Sequence, residues 1–314
     1  MAKKLLTINK TFLIFILLVS PITLMALFSY VRLTRELSDL ILSRRETLAH
    51  LSAEHLEQKF DYLIDIGTVI TDRKDFRELL KAGRWQEAIL LLKETPDRLP
   101  VINSIALIAP DGTLKATTPY VPDVVGVNFA FRDWYQGVTA TQAPYLSEVF
   151  KAANQVYGIV LAIPIKSDSG QLIGILLKQV KLDTFLEWSK ELDVGDSGFM
   201  YFVDQRGHVV AHPLTNPQGG ILDFSDVPAV VNVLKGQHGV EVSASPFDSD
   251  ENLLSAYRPV DKYNWGVLIA QPAEIAFMSR DNTLTGLFIV FLVLFVLDCL
   301  LAYVLIKVTN IIQV

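Results

Sequence analysis

Phe131-Arg132-Asp133-Trp134-Tyr135-Gln136 brings a cation, two large aromatics and a helix start together, and three apolar runs follow it: Tyr145 to Phe150, Tyr157 to Ile165 and Gln171 to Val180. Strands behind a short helix make a cupped sheet. In such a cup Arg132 can meet a carboxylate through two parallel hydrogen bonds, while Trp134 and Tyr135 wall the pocket and add a polar tip. The same residues also read as an arginine paired with a surface acid beside two core aromatics, and the short stretch by itself leaves both readings open.

The flanking segments extend the sheet. On the N-terminal side, Val101 to Ala109 has strand character, Pro110-Asp111-Gly112-Thr113 is a turn and Leu114 to Thr118 is its return, which makes a hairpin. On the C-terminal side, Leu182 to Leu192 has Leu182, Phe185, Leu186 and Leu192 at helical spacing, and Gly195-Asp196-Ser197-Gly198 breaks it. A module boundary belongs there. Phe199 to Val203, a turn at Asp204 to Gly207 and His208 to Ala211 form another hairpin, followed by a loop rich in Pro and Gly.

The two hairpins repeat. Gly112-Thr113-Leu114-Lys115-Ala116 corresponds to Gly207-His208-Val209-Val210-Ala211, an offset of 207 − 112 = 95, and Pro164 corresponds to Pro259 with 259 − 164 = 95. Two landmarks at one offset argue for two copies of one α+β module with an antiparallel sheet. Upstream, Arg32 to about Thr71 has no proline, no glycine before Gly67, and apolar residues at helical spacing from Leu33 through Leu56 and Phe60 to Ile64. About 40 residues at 1.5 Å each make a rod of roughly 60 Å, whose apolar stripe needs a sheet or a second copy of the chain against it. Asp72 to Pro100 continues as shorter helices, with Gly83 as a break and Pro96 and Pro100 as stops.

Both ends are apolar. Thr11 to Val31 has no charge in 21 residues and Leu284 to Ile306 has one in 23, so each is long enough to span a bilayer. Lys3, Lys4 and Lys10 precede the first without an acid and place the N-terminus in the cytoplasm. Leu27-Phe28-Ser29-Tyr30 is too bulky for a signal-peptidase site, so this helix is read as an anchor. The segment between the spans then lies outside the cytoplasm, and it contains no cysteine, the sole one being Cys299 in the second span. A net charge of −6 offers no basic surface for nucleic acid.

The order of these elements resembles the double-Cache extracytoplasmic sensor family. Its residues here are Phe131 to Tyr135, Pro144 to Phe150, Ala162-Ile163-Pro164-Ile165, Gly170 to Ile175, Gly198 to Asp204 with Gly207 and His212-Pro213, and Trp265-Gly266-Val267. The resemblance implies two PAS-like antiparallel-sheet modules on one long N-terminal helix, flanked by two transmembrane helices. The expected layout is a cytoplasmic start at 1–10, a first span at 11–31, a stalk helix at 32–72, a membrane-distal module at 73–192, a membrane-proximal module at 193–279, a second span at 284–307 and a cytoplasmic end at 308–314.

In the amino-acid-sensing branch of that family an Arg-x-Trp-Tyr group holds the ligand carboxylate, which implies that role for Arg132, Trp134 and Tyr135, with Tyr145 as a further wall. The ammonium end is held there by an aromatic and two acids. Here the corresponding positions are Phe150, Ala152 and Gln179. The carboxylate half of the site is therefore expected and the amine half is not, because an unpaired ammonium in a closed pocket costs several kcal/mol. The expected ligand is a small carboxylate and the expected site is Arg132, Trp134, Tyr135, Tyr145, Phe150 and Gln179.

Other constellations carry less. His208 and His212 lie on or past a strand, where four residues span about 13 Å, too far for one metal ion. Asp248 to Asn252 imitates a calcium loop, but Leu253 stands where glycine is needed, so a solvated hairpin tip is expected. No Gly-x-Ser-x-Gly or extracytoplasmic cysteine supports nucleophilic catalysis. Asp298 either lies near the cytoplasmic headgroups or makes a polar contact with Ser20 or Thr23. The reading is a membrane-anchored sensor in the cell (inner) membrane, without cofactor or metal, dimeric through its long helix. Since the sequence stops seven residues past Lys307, output is expected through a longer receptor or a partner. A two-anchor extracytoplasmic enzyme or adhesion protein is the alternative.

Overall fold

The computed structural model describes the backbone of residues 2–153 and 155–312, and the side chains of these residues outside 2–16, 18, 306 and 309–312. Lys3, Lys4, Lys10 and the Thr11 to Ile16 part of the first expected span are thus outside the described side chains, as is most of the expected cytoplasmic end. The chain opens with α1 (Ala2–Thr71) and three short helices, α2 (Lys74–Lys81), α3 (Trp85–Leu90) and α4 (Thr95–Arg98). Strands β1 (Ile102–Ile108) and β2 (Leu114–Thr118) precede α5 (Asp133–Thr141), then β3 (Tyr145–Leu146), β4 (Phe150–Lys151), β5 (Tyr157–Lys166), β6 (Leu172–Lys181) and α6 (Leu182–Ser189). A second series follows: β7 (Phe199–Val203), β8 (Val209–Ala211), α7 (Pro228–Leu234), β9 (Gly239–Ala244), β10 (Asn252–Val260), β11 (Trp265–Pro272) and α8 (Ala273–Ile312).

Two antiparallel sheets result, ordered β2-β1-β6-β5-β3 with β4 also on β5, and β8-β7-β11-β10-β9. The 95-residue repeat is visible bond by bond. Phe129 N donates to Gly112 O and Phe224 N to Gly207 O, with 224 − 129 = 207 − 112 = 95. The isolated bridges Thr113 to Asn128 and His208 to Asp223 keep the same offset, and so do the starts of α5 and α7, since 228 − 133 = 95. Gly112 and Gly207 have φ of 88° and 87°, and a Cβ on either would come within 2.8 Å of the crossing chain at Ala130 or Ser225, so both turns require glycine.

Two sequence expectations need correction. The run Tyr145 to Phe150 is not one strand, because its middle gives its backbone donors to side chains: Glu148 N to Asp133 Oδ2 at 2.7 Å and Val149 N to Asp204 Oδ2 at 2.8 Å. Ser147 N still meets Val160 O at 2.9 Å, but no ladder can continue across Glu148 and Val149 while those donors are taken. Pro96, read as a stop, sits in the first turn of α4, where a missing N–H costs nothing and the fixed φ suits a helix.

The chain divides into two compact units, one of residues Arg45–Pro272 and one of Met1–Arg44 with Ala273–Val314. In the first, Ala49, Ala53, Leu56, Phe60, Leu63 and Ile64 of α1 are buried at steps of three and four residues, as a packed helical stripe demands. Phe60 is its centre: its ring lies 6.0 Å from Phe185 and 6.4 Å from Trp188 of the first series, and 5.2 Å from Tyr263 and 5.1 Å from Trp265 of the second. One helix therefore backs both sheets, which is why a run of this length stays unbroken.

In the other unit, Arg280 Nη1 donates to Ser38 Oγ at 3.3 Å, joining the two helical segments. Among the described residues one helix is long and apolar enough to cross a membrane, Ala273–Leu305. Its side chains from Phe288 to Leu297 are largely exposed, as lipid-facing residues would be. Thr23 Oγ1 donates to Val19 O of its own helix at 2.6 Å, so Thr23 does not donate its hydroxyl to Asp298. Asp298 Oδ2 is buried and has no hydrogen-bond partner among the described residues.

Candidate functional site

A cavity of about 290 Å³ lies beside the first sheet, between β1, β2, β5 and β6 on one side and α5 with the Pro119 to Phe129 crossing on the other. The pleat decides its lining. On β6, Leu177 and Gln179 point into the cavity, and the intervening Lys178 points to the opposite face, beneath α1. Leu114, Val160 and Leu177 form apolar walls with Trp134, which is buried. A polar corner is made by Asn103, Ser104 and Gln179, where Gln179 Oε1 accepts from Ser104 Oγ at 2.8 Å and from Asn103 Nδ2 at 3.3 Å.

Arg132 is the residue just before α5, extended at φ −74° and ψ 145°, so its side chain leaves the helix start and enters the cavity wall. Its guanidinium carbon lies 4.8 Å from the Phe150 ring centre and 5.2 Å from that of Phe131. Half-buried, it makes no side-chain hydrogen bond or ion pair among the described residues. No acid among the described residues is paired with Arg132, although its charge acts on the adjacent Asp133, and its guanidinium N–H donors remain for whatever enters the cavity.

The expected residues divide into two groups. Arg132, Trp134, Phe150 and Gln179 line the cavity. Tyr135 and Tyr145 do not: Tyr135 Oη donates to Pro110 O at 2.6 Å, and the Tyr145 ring lies over Gly137, where a Cβ would meet it at 2.3 Å. Asn103 and Ser104 were not legible as site residues, since a polar pair at the start of a strand is common. Leu114, Val160 and Leu177 read as ordinary core positions.

The segment that carries Phe150, Ala152 and Ala153 of the cavity wall is tied at both ends to the second sheet's module. Asp133, next to Arg132, holds Glu148 N, and Asp204, in the β7–β8 turn, holds the neighbouring Val149 N. Arg206 of the same turn reaches Glu148 at 2.6 Å. Burial pushes the Asp133 carboxyl above the usual range, against the pull of Glu148 N, Trp134 N and the Arg132 charge. Burial and then the Asp133 charge push Glu148 up, and Arg206 opposes them. Further along, the Gln218 amide pairs with both Tyr157 N at 2.8 Å and Tyr157 O at 3.2 Å. Phe150, Ala152 and Ala153, all lining the cavity, lie between these two attachments.

The second sheet has an acid beneath its helix instead: Glu241 of β9 accepts from Asn232 Nδ2 of α7 at 2.9 Å. The counterpart of Arg132 at the repeat offset is Val227, since 227 − 132 = 95. Tyr201, Phe224, Val233, Tyr257 and Leu268 fill the space under α7. His212 is buried among Phe199, Tyr201 and Phe247, at 4.8, 5.1 and 4.8 Å between ring centres, and this desolvation lowers its pKa to about 4. It is a neutral core residue.

The Cache domain family, in its dCache_1 form, matches residues 33–279. A curated relative, the methyl-accepting chemotaxis protein McpA of Pseudomonas putida, is 30% identical over 83 residues, which are 26% of this chain and 13% of that receptor. Among solved structures, the ligand-binding domain of the Pseudomonas fluorescens chemoreceptor CtaA in complex with L-isoleucine aligns with a TM-score of 0.61 at 14% identity, over 78% of this chain and 98% of that one. That of the Pseudomonas aeruginosa amino-acid chemoreceptor PctB in complex with L-Gln aligns at 0.58 and 19% identity, over 77% and 98%. These two likenesses show the fold.

Proposed function

Because the chain belongs to the Cache domain family, as a double-Cache sensor domain, we propose that it is the extracytoplasmic part of a membrane-anchored signal-transduction protein and binds a small carboxylate in the cavity beside its first sheet. It acts by binding, not turnover. The observation that carries this reading is Arg132, a half-buried guanidinium without an acid partner among the described residues, set in the wall of an otherwise largely apolar cavity. The amino-acid complexes of CtaA and PctB support ligand recognition as the role of this fold. The modules 73–192 and 193–279, the two spans at 11–31 and 284–307 and output through a further domain or partner complete the proposal.

A metabolite screen by thermal shift on the full chain in detergent tests it. A compound that stabilises the wild type is expected to lose at least about tenfold in affinity in Ala106→Phe, because the new ring occupies the cavity that Ala106 lines. Stabilisers that act equally on both proteins would place the ligand elsewhere and overturn this reading.

Dimerisation through α1 belongs to the same proposal. Leu51, Tyr62 and Val69 are 50, 58 and 68% exposed, and their spacings of 11 and 7 residues keep them within about 20° of one line on the helix. In a Cys299→Ser background, Leu51→Cys, Tyr62→Cys and Val69→Cys are expected to cross-link between copies with a membrane-impermeant bismaleimide on intact cells. Leu56→Cys and Leu63→Cys, on the buried stripe, are not. A uniform pattern would remove the dimer, and cross-links that need lysed cells would reverse the topology.

A further inference from the structure

We propose that the ligand of the first cavity is an amine-free monocarboxylate with an apolar body. This narrows the sensor reading above and rests on it.

The cavity wall contains one formal charge among the described residues, the Arg132 guanidinium, and no carboxylate. An anion entering it would be matched by two parallel N–H donors, while the Phe150 ring 4.8 Å away holds the guanidinium plane in place. An ammonium would find no such match. The nearby acids are engaged outside the wall: Asp133 holds Glu148 N, and Glu148 is paired with Arg206. The other polar groups of the wall, Asn103, Ser104, Thr117 and Gln179, are neutral and offer an ammonium no opposite charge. Gln179 Oε1 already takes Ser104 and Asn103, and Thr117 donates its hydroxyl to Ile105 O at 3.1 Å.

A second carboxylate is disfavoured for the converse reason. Among the described residues the cavity wall holds no second cation, and Lys178 of β6 lies on the opposite face of the sheet, against Gly67 of α1. The rest of the ligand must therefore match Leu114, Val160, Leu177, Val124, Phe129 and Trp134, which ask for hydrocarbon. One charge of one sign at the wall and apolar surface behind it define the class: branched-chain or aryl-substituted monocarboxylates, without the amine that an amino acid of the same skeleton carries.

Matched pairs isolate the amine. Isothermal titration of the full chain in lipid nanodiscs would compare 4-methylpentanoate with L-leucine and 3-phenylpropanoate with L-phenylalanine, which differ only by the amino group, together with glutarate and 3-methylbutylamine. Each monocarboxylate is expected to bind at least about a hundredfold more tightly than its amino acid, since a buried ammonium without a partner is disfavoured by that much or more. Arg132→Ala is expected to weaken the acids about a hundredfold, and Arg132→Lys to recover part of this through charge without the paired donors.

L-leucine binding more tightly than 4-methylpentanoate, with dependence on Arg132, would overturn this ligand class and leave the sensor reading standing. Tighter binding of glutarate would do the same. If neither monocarboxylate binds, the class is also overturned, and the sensor reading is then judged separately by whether any stabiliser from the screen is lost in Ala106→Phe.

Discussion

Asp204→Ala is expected to lower the stability of the folded chain by about 3 to 5 kcal/mol, from one carboxylate that belongs to neither the cavity nor the helical core. Asp204 is fully buried and its two oxygens take four donors. Oδ1 accepts from Arg206 N and His208 N, both at 2.9 Å, and Oδ2 from Val149 N at 2.8 Å and the His208 ring at 3.1 Å. Removing it takes the acceptor from the buried Val149 N and from the part-buried Arg206 N and His208 N.

The turn itself does not need this residue. The equivalent hairpin of the first module has Ala109 at the corresponding position, 204 − 95 = 109, and its Ala109 N still meets Thr113 O at 2.8 Å, as Asp204 N meets His208 O at 3.0 Å. The carboxylate is specific to the second copy because it has Val149 to hold. Chemical denaturation of the full chain measures the loss, and amide exchange locates it. Besides the turn, exchange is expected to rise at Glu148 to Ala153, although that segment belongs to the other module. A loss under about 1 kcal/mol, or a change confined to the turn, would mean that the link between the modules rests on other contacts.

The second large effect has the opposite sign. Lys178→Met is expected to stabilise the protein at pH 7 by up to about 3 kcal/mol. Lys178 is fully buried, its Nζ has no hydrogen-bond partner among the described residues, and burial lowers its pKa from 10.5 to about 8, with Asp65 pulling the other way. The stem fits only because position 67 is glycine: a Cβ there would lie 2.1 Å from Ile163 Cδ1 and 2.9 Å from Lys178 Nζ.

The pH dependence carries a sign. Below about pH 8 the lysine is protonated in both folded and unfolded chains, and the folded state bears the full cost of the buried charge. Between about 8 and 10.5 the folded chain has lost the proton while the unfolded chain keeps it, so stability rises with pH through that window. Lys178→Met should remove that rise. Denaturation midpoints of both proteins from pH 7 to 9.5 test this, and parallel curves would show that the amine is hydrated in solution. The native protein retains this cost within the strand whose other face lines the cavity.

Much of the fold was legible because periodicity and turn chemistry are local. Phe199 to Val203 is a strand with the expected ends, and the hairpin glycines Gly112 and Gly207 announced both the turns and the repeat. The helix from Arg32 to Thr71 followed from its spacing and from the absence of proline. Arg132, Trp134, Phe150 and Gln179 line one cavity. Tyr135 and Tyr145 were read as walls of the same pocket, yet Tyr135 turns toward Pro110, and the Tyr145 ring lies over Gly137 of α5.

By itself, then, the amino-acid order determined two things: the long helix with most strands of the first sheet and the β7–β8 hairpin, and that one sheet module occurs twice on a shared helix. Those properties depend on residues within a few positions of one another, or on a pattern copied at a constant distance. Only the tertiary structure decided which face of β6 meets the cavity and which meets α1, and so whether Gln179 or Lys178 is the site residue. Alternation says that neighbours point oppositely, but a sheet covered on both faces gives neither side to water, and polarity then no longer marks the outside. The same holds for Asp204: its neighbours in sequence explain a turn, and only the approach of Val149, 55 residues earlier, explains its burial.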